Sequence, residues 1–80
     1  MPVLDWRVYS RPGCSLCEQM IEELAAVLGP AAAHAQVIDI SGDDLLERKY
    51  GARIPVLMAD GEFVCAYRLD HGRVRQLLAG

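Results

Sequence analysis

No stretch of this sequence approaches the roughly 18 apolar residues that a membrane-spanning helix requires. The opening Met1-Pro2-Val3-Leu4-Asp5 has neither a basic start nor a long apolar run, and is not expected to act as a secretory leader. Cysteine is limited to three residues, an odd number that a disulfide-stapled secreted fold would not favour. Neither sign of charge dominates. A net charge of −3 is too mild to make nucleic acid or an anionic membrane the main partner. Repeats, linkers and low-complexity segments are also missing. What remains is 80 residues at 52% hydrophobic content, which excludes a disordered chain and fits a single domain over residues 1–80 with one modest core. The chemistry expected of a few cysteines in such a chain is catalytic or metal-binding, and the expected location is the cytoplasm.

The apolar pattern divides the chain into alternating element types. From Val3 to Tyr9 the residues Leu4, Trp6 and Val8 alternate with Asp5 and Arg7, the period of a half-buried strand. Ser10-Arg11-Pro12-Gly13 is a turn-rich loop. Leu16, Met20, Leu24 and Leu28 then recur every fourth residue, predicting a helix from Cys14 or Ser15 to Leu28 that Gly29 and Pro30 stop. Ala35 to Ile40 reads as a buried strand. Ser41 or Asp43 caps a short helix that runs through Tyr50 and closes at Gly51. A strand over Val56 to Ala59, an Asp60-Gly61 hairpin turn and a strand over Glu62 to Tyr67 follow. Asp70 caps a last helix carrying Val74, Leu77 and Leu78. The order β-α-β-α-β-β-α predicts an α/β fold. A right-handed βαβ unit and a hairpin would form a mixed four-stranded sheet with helices on both faces.

The most informative feature is Cys14-Ser15-Leu16-Cys17, placed where the first strand has ended and the first helix begins. A thiol there faces unpaired backbone N–H groups and the positive end of the helix dipole, both of which favour the nucleophilic thiolate. A second thiol three residues on lies near the same helix face and can attack a mixed disulfide formed at the first. Cys14 is the candidate nucleophile. Cys17, within the apolar stripe, is the candidate resolving thiol and is expected to be more buried and a weaker acid. Arg11 is a candidate partner for the thiolate or a substrate carboxylate, against the alternative of a solvated loop cation. Cys65 is weighed as a small buried hydrophobe against a third redox thiol. Alternation places Phe63, Cys65 and Tyr67 on one face of their strand but does not say which face is core. Trp6 and Tyr9 are expected in the core or the site wall, and His34 and His71 at the surface. The acidic run of Asp43, Asp44 and Glu47 is expected on a solvated helix face.

Tyr9-Ser10-Arg11-Pro12-Gly13-Cys14-Ser15-Leu16-Cys17 and Ile54-Pro55-Val56-Leu57, taken with the element order, resemble the glutaredoxin branch of the thioredoxin fold, and in particular small bacterial glutaredoxin-like domains. The resemblance covers essentially the whole chain. It implies a cis peptide bond before Pro55 and a monomeric dithiol oxidoreductase acting in cell redox homeostasis on protein or glutathione disulfides. It further implies substrate contacts from Arg11, Ser15, Leu16, Ile54 and Pro55, with the backbone of Ile54 pairing with an extended substrate. No bound cofactor or metal is expected. Glutathione is a possible co-substrate, and electrons would come from glutathione or a reductase partner. Two departures stand out. Ser15-Leu16 replaces the usual Pro-Tyr between the cysteines. Cys65-Ala66-Tyr67-Arg68-Leu69-Asp70 lacks the glycine pair that lets glutathione approach. Two other functions fit the same residues. One is a metal module, with Cys14, Cys17 and Cys65 joined by a histidine on zinc, or an iron–sulfur cluster shared between subunits. The other is a redox-sensing or binding domain that keeps the fold with little turnover.

Overall fold

The computed structural model describes residues 4–79. In chain order it has β1 (Trp6–Ser10), α1 (Ser15–Leu28), a 3-10 helical turn (Gly29–His34), β2 (Gln36–Asp39), α2 (Asp44–Tyr50), β3 (Val56–Ala59), β4 (Glu62–Ala66) and α3 (His71–Ala79). The strands lie in the order β2-β1-β3-β4. β1 and β2 are parallel, and the other two pairs are antiparallel. This is the mixed four-stranded sheet anticipated from the element order. Val3, expected to begin the first strand, lies outside the described residues. Asp5 precedes the strand and is tied to the hairpin turn. Its N–H donates to Asp60 Oδ1 at 2.7 Å, and the Asp60 N–H donates to its carbonyl at 2.9 Å.

Alternation along β1 gives the sheet two buried faces. Trp6 and Val8 point to the face where Met20, Leu24 and Leu28 of α1 and Val74 of α3 complete the larger core. Tyr9 belongs to the opposite face, with Ile40, Val56 and, from α2, Leu46 and Tyr50. The Tyr9 and Tyr50 rings stack with centroids 4.2 Å apart, fastening α2 to the sheet. Helices thus cover both faces, with α1 and α3 on one and α2 on the other.

Several local details depart from the sequence pattern. The second strand is not buried. β2 is the sheet edge, and Val37 is 53% exposed. A β-branched run has the same composition whether a helix covers it or not, so pattern alone mistakes this edge for an interior strand. The chain after Leu28 does not become a loop but winds into a 3-10 turn. Pro30 suits its first residues because no N–H partner is needed there. In β4, Cys65 faces Leu57 while Phe63 faces Met58, so Val64 is an extra residue that shifts the register. The bulge breaks the expected alternation. Val64 and Cys65 both pack on the larger core, and Phe63 is left 53% exposed. Tyr67 falls outside β4.

The caps behave as their chemistry requires. Asp60 and Gly61 both have positive φ, 50° and 80°, the backbone of a two-residue hairpin turn whose twist suits the strands. Asp43 rather than Ser41 caps α2, accepting the N–H groups of Leu45 and Leu46 at 3.1 Å each. We expect Asp43→Ala to lower stability by about 1 kcal/mol, measured as a reduced urea midpoint at unchanged m-value. Gly51 ends α2 for a reason other than conformational freedom. Its φ is −52°, but a Cβ there would collide with the Glu47 carbonyl and press on Arg11.

Candidate functional site

Strand register brings the site together. Tyr9 opposite Val56 and Val56 opposite Ala66 set the end of β1, the start of β3 and the end of β4 at one edge of the molecule. The segments attached there are the loop to Cys14, the segment ending in Ile54-Pro55, and Tyr67 to Asp70. The Ile54–Pro55 peptide bond is cis, as the resemblance implies. Pro55 is buried and Ile54 half-buried. The Tyr67 N–H donates to the Pro55 carbonyl at 2.9 Å, locking two of the three segments to each other.

Gly13, at φ 76°, turns the chain so that Cys14 becomes the N-cap residue of α1. Its sulfur accepts the Cys17 N–H at 3.2 Å, the contact a capping serine or aspartate oxygen makes elsewhere. Its carbonyl accepts the Glu18 N–H at 3.1 Å, so the helix begins directly beneath the sulfur. The Cys14 and Cys17 Cα atoms are 5.2 Å apart, and the two sulfurs are joined in disulfide geometry. Their environments differ. Cys14 is half-buried at the molecule's edge, whereas Cys17 is 1% exposed. An outside sulfur can reach the first, but the second is reachable only from the first.

Ser15 and Leu16 are both exposed on the first turn of α1. Arg11 is held by α2. Its guanidinium Nη2 pairs with Glu47 Oε2 of α2 at 2.7 Å, both side chains remaining more than a third exposed. The acidic run therefore divides, Asp43 serving as a cap and Glu47 as a salt-bridge partner. The hydrogen bond that reaches the Cys14 sulfur comes from the Cys17 N–H in the first turn of α1. His34 and His71 are exposed. Among the described residues no three His, Cys, Asp or Glu side chains converge in a way that could hold a metal ion.

Cys65 is buried against Leu57 and Leu69 in the larger core. Burial pushes its thiol up from the ordinary range, opposed by a backbone N–H of Asp70. Folding thus favours the protonated thiol. This contribution to stability is complete below the ordinary thiol range and disappears as pH rises through the elevated folded value. In the fully reduced protein near pH 8 we expect an alkylating reagent to label Cys14 while Cys65 stays unmodified until denaturant is added, as mass spectrometry of the digest would read.

The sequence reading missed Tyr67 as a site residue. The ring stands at the junction of the three segments, half exposed, and lines a groove of about 190 Å³ with the apolar Leu16, Met20 and Leu69 and the polar Gln19, Glu23, Arg68 and His71. Nothing in the sequence marks it beyond its place two residues after Cys65, because its position depends on the left-handed turn that the Arg68 N–H closes on the Ala66 carbonyl at 2.8 Å.

The chain belongs to the glutaredoxin-like domain family. The family model, Glutaredoxin-like domain (DUF836), matches residues 7–79. The fold is thioredoxin-like. A protein of Nitrosomonas europaea solved by solution NMR is 34% identical and superposes with a TM-score of 0.84, covering 96% of this chain and 93% of that one. An X-ray structure of an X. campestris protein is 31% identical with a TM-score of 0.75, over 92% and 95% of the two chains. Uncharacterized proteins of Mycobacterium bovis and Mycobacterium tuberculosis are 28% identical over 75 residues, 88% of this chain and 77% of theirs. Among the described residues no helix is long and apolar enough to cross a membrane.

Proposed function

We propose that this domain is a dithiol thiol–disulfide oxidoreductase. The observation that supports this best is the inequality of its two thiols, an accessible Cys14 whose sulfur caps α1 and a buried Cys17 beside it. In the reaction, the Cys14 thiolate attacks one sulfur of a substrate disulfide. The Cys14–substrate S–S bond forms as the substrate's own S–S bond breaks, and the first substrate thiolate leaves. Cys17, losing its proton to solvent, attacks Cys14 Sγ. The Cys14–Cys17 bond forms and the second substrate thiolate leaves and takes up a proton. Two electrons pass to the substrate, and the domain ends as its internal disulfide. Two molecules of glutathione, or the dithiol of a reductase partner, return it to the reduced state and are themselves oxidised.

The helix N–H groups lower the barrier by holding negative charge on the Cys14 sulfur, both when it attacks and when it leaves. Ser15, Leu16, Ile54 and Pro55 border the place where the substrate sulfur must sit. Arg11, held by Glu47, contributes to the rim of this site. The substrates are protein or glutathione disulfides, and the domain acts as a monomer in the cytoplasm. The test is turnover. The reduced domain, regenerated by glutathione and glutathione reductase, should reduce a peptide or protein disulfide catalytically, well above the rate of glutathione alone. A rate equal to that background on every disulfide offered would refute the proposal.

A further inference from the structure

The guanidinium of Arg11 has a definite seat. Its Nη2 donates to Glu47 Oε2 at 2.7 Å. It also lies against Gly51, where an added Cβ would come within 3.3 Å of Nη2. Gly51 has φ at −52°, a conformation open to any residue, so the glycine supplies room rather than flexibility. Arg11 stands three residues before Cys14, and Gly51 four before Pro55. The cation therefore lies where the loop to the nucleophile meets the segment that leads into the cis proline. The reaction described above gives it no step.

A second carboxylate feels the same charge. Asp39, at the end of β2, is held below the usual carboxylate range. The Ser41 N–H, donating at 2.8 Å, is the main cause, followed by the Ser41 hydroxyl, with a smaller contribution from Arg11. A guanidinium with one carboxylate at hydrogen-bond distance and another nearby has little net charge to offer a third. Yet the Arg11–Glu47 pair is open to exchange. Its side chains are 39% and 36% exposed, and it closes through one nitrogen rather than a two-point fork. Glu47 thus fills, reversibly, the place a substrate carboxylate would take on Arg11.

We propose that Glu47 is a positioning residue that sets charge specificity through Arg11, acting as an internal competitor against disulfides that carry a carboxylate beside the reacting sulfur. The inference rests on the dithiol reading above and ranks its substrates by charge. An acidic disulfide must either join an ion pair that is already neutral or displace Glu47 and leave that carboxylate unpaired. A neutral disulfide meets neither penalty, and a basic one is attracted by Glu47. Because the pair is partly exposed, the discrimination is a matter of a few-fold and weakens as salt screens it. Glu47 makes no contact with the reacting sulfurs, so intrinsic reactivity at Cys14 changes alike for every substrate.

The test uses three small disulfides of different charge, the anionic dithiodiglycolate, the neutral hydroxyethyl disulfide and the cationic cystamine. Each is mixed with the fully reduced domain without other thiols, and the second-order rate of Cys14–Cys17 disulfide formation is read by mass spectrometry after acid quench. The quantity compared is the rate ratio between substrates, variant against parent, in which the intrinsic reactivity of each disulfide and of Cys14 cancels. Glu47→Gln keeps the shape and removes the charge. It should raise the anionic-to-neutral ratio by about threefold at low salt and lower the cationic-to-neutral ratio by a similar factor. Both changes should shrink toward onefold near molar salt. In the double variant Arg11→Gln/Glu47→Gln the gain of the anionic substrate should vanish, because it runs through Arg11. An active parent whose ratios do not respond to Glu47→Gln, or an anionic gain that persists without Arg11, overturns the role of Glu47 alone. A parent that none of the three disulfides oxidises overturns the dithiol reading and this inference with it.

Discussion

Under the proposed function, Cys14→Ser should abolish disulfide reduction, with kcat/KM falling by at least about a thousandfold, because no other group is placed to form the first mixed disulfide. Cys17 is buried beneath the helix turn, and Cys65 is buried in the core with its thiol pushed up by desolvation. Neither can substitute as the attacking sulfur. Cys17→Ser has a different phenotype. Attack at Cys14 proceeds and the first thiolate leaves, but nothing adjacent resolves the intermediate. Incubated with a protein disulfide, this variant should accumulate a covalent adduct that thiol reagents release and that mass spectrometry places on Cys14. Equal trapping by Cys14→Ser and Cys17→Ser would show that the two thiols are interchangeable, contrary to their unequal exposure.

The largest loss of stability is expected at Trp6. It lies on β1, flanked by β2 and β3, and is 1% exposed within the larger core. Trp6→Ala removes the indole from a close-packed face and should cost about 3 to 5 kcal/mol. A domain of this size has a total of only about 4 to 12 kcal/mol. The melting temperature should therefore drop by about 15 °C or more, or the chain should fail to fold. Phe63→Ala is the matching control on the same sheet. Its ring is 53% exposed beside the bulge, and its loss should change stability by less than about 1 kcal/mol. Comparable losses at the two positions would mean that the sheet faces are assigned wrongly.

Most of the fold was legible because local chemistry and long-range packing agree along this chain. Met20, Leu24 and Leu28 of the four-residue repeat form, with Cys17, the buried stripe of α1, while Leu16 at its start stays exposed. Asp60-Gly61 makes the turn that its backbone tolerance permits. Cys14 could be placed at a helix start because Pro12-Gly13 ends one element and the apolar period begins at Leu16. Features set by the tertiary arrangement were not legible. The exposure of β2 depends on which strand ends up at the edge, and Val37 has the same composition in either place. Arg11 is matched to Glu47 across 36 positions, a pairing decided by where α2 docks through Tyr9 and Tyr50. The extra residue at Val64 separates Phe63 from Cys65, and alternation cannot anticipate it. Tyr67 owes its place in the site to a left-handed backbone that no pattern of hydrophobicity encodes.

The proposed function requires Cys14 and Cys17 to form a reversible redox pair with unequal thiols. Equilibration of the domain in buffers of graded thiol–disulfide potential, quenched by alkylation and read by mass spectrometry, tests it most directly. A single two-electron transition confined to Cys14 and Cys17 is expected, with Cys65 unchanged. Its midpoint should fall within the span of about −270 to −120 mV occupied by exchange proteins. A pair that stays oxidised below about −300 mV, as structural disulfides do, would contradict it, as would one that never forms the Cys14–Cys17 bond.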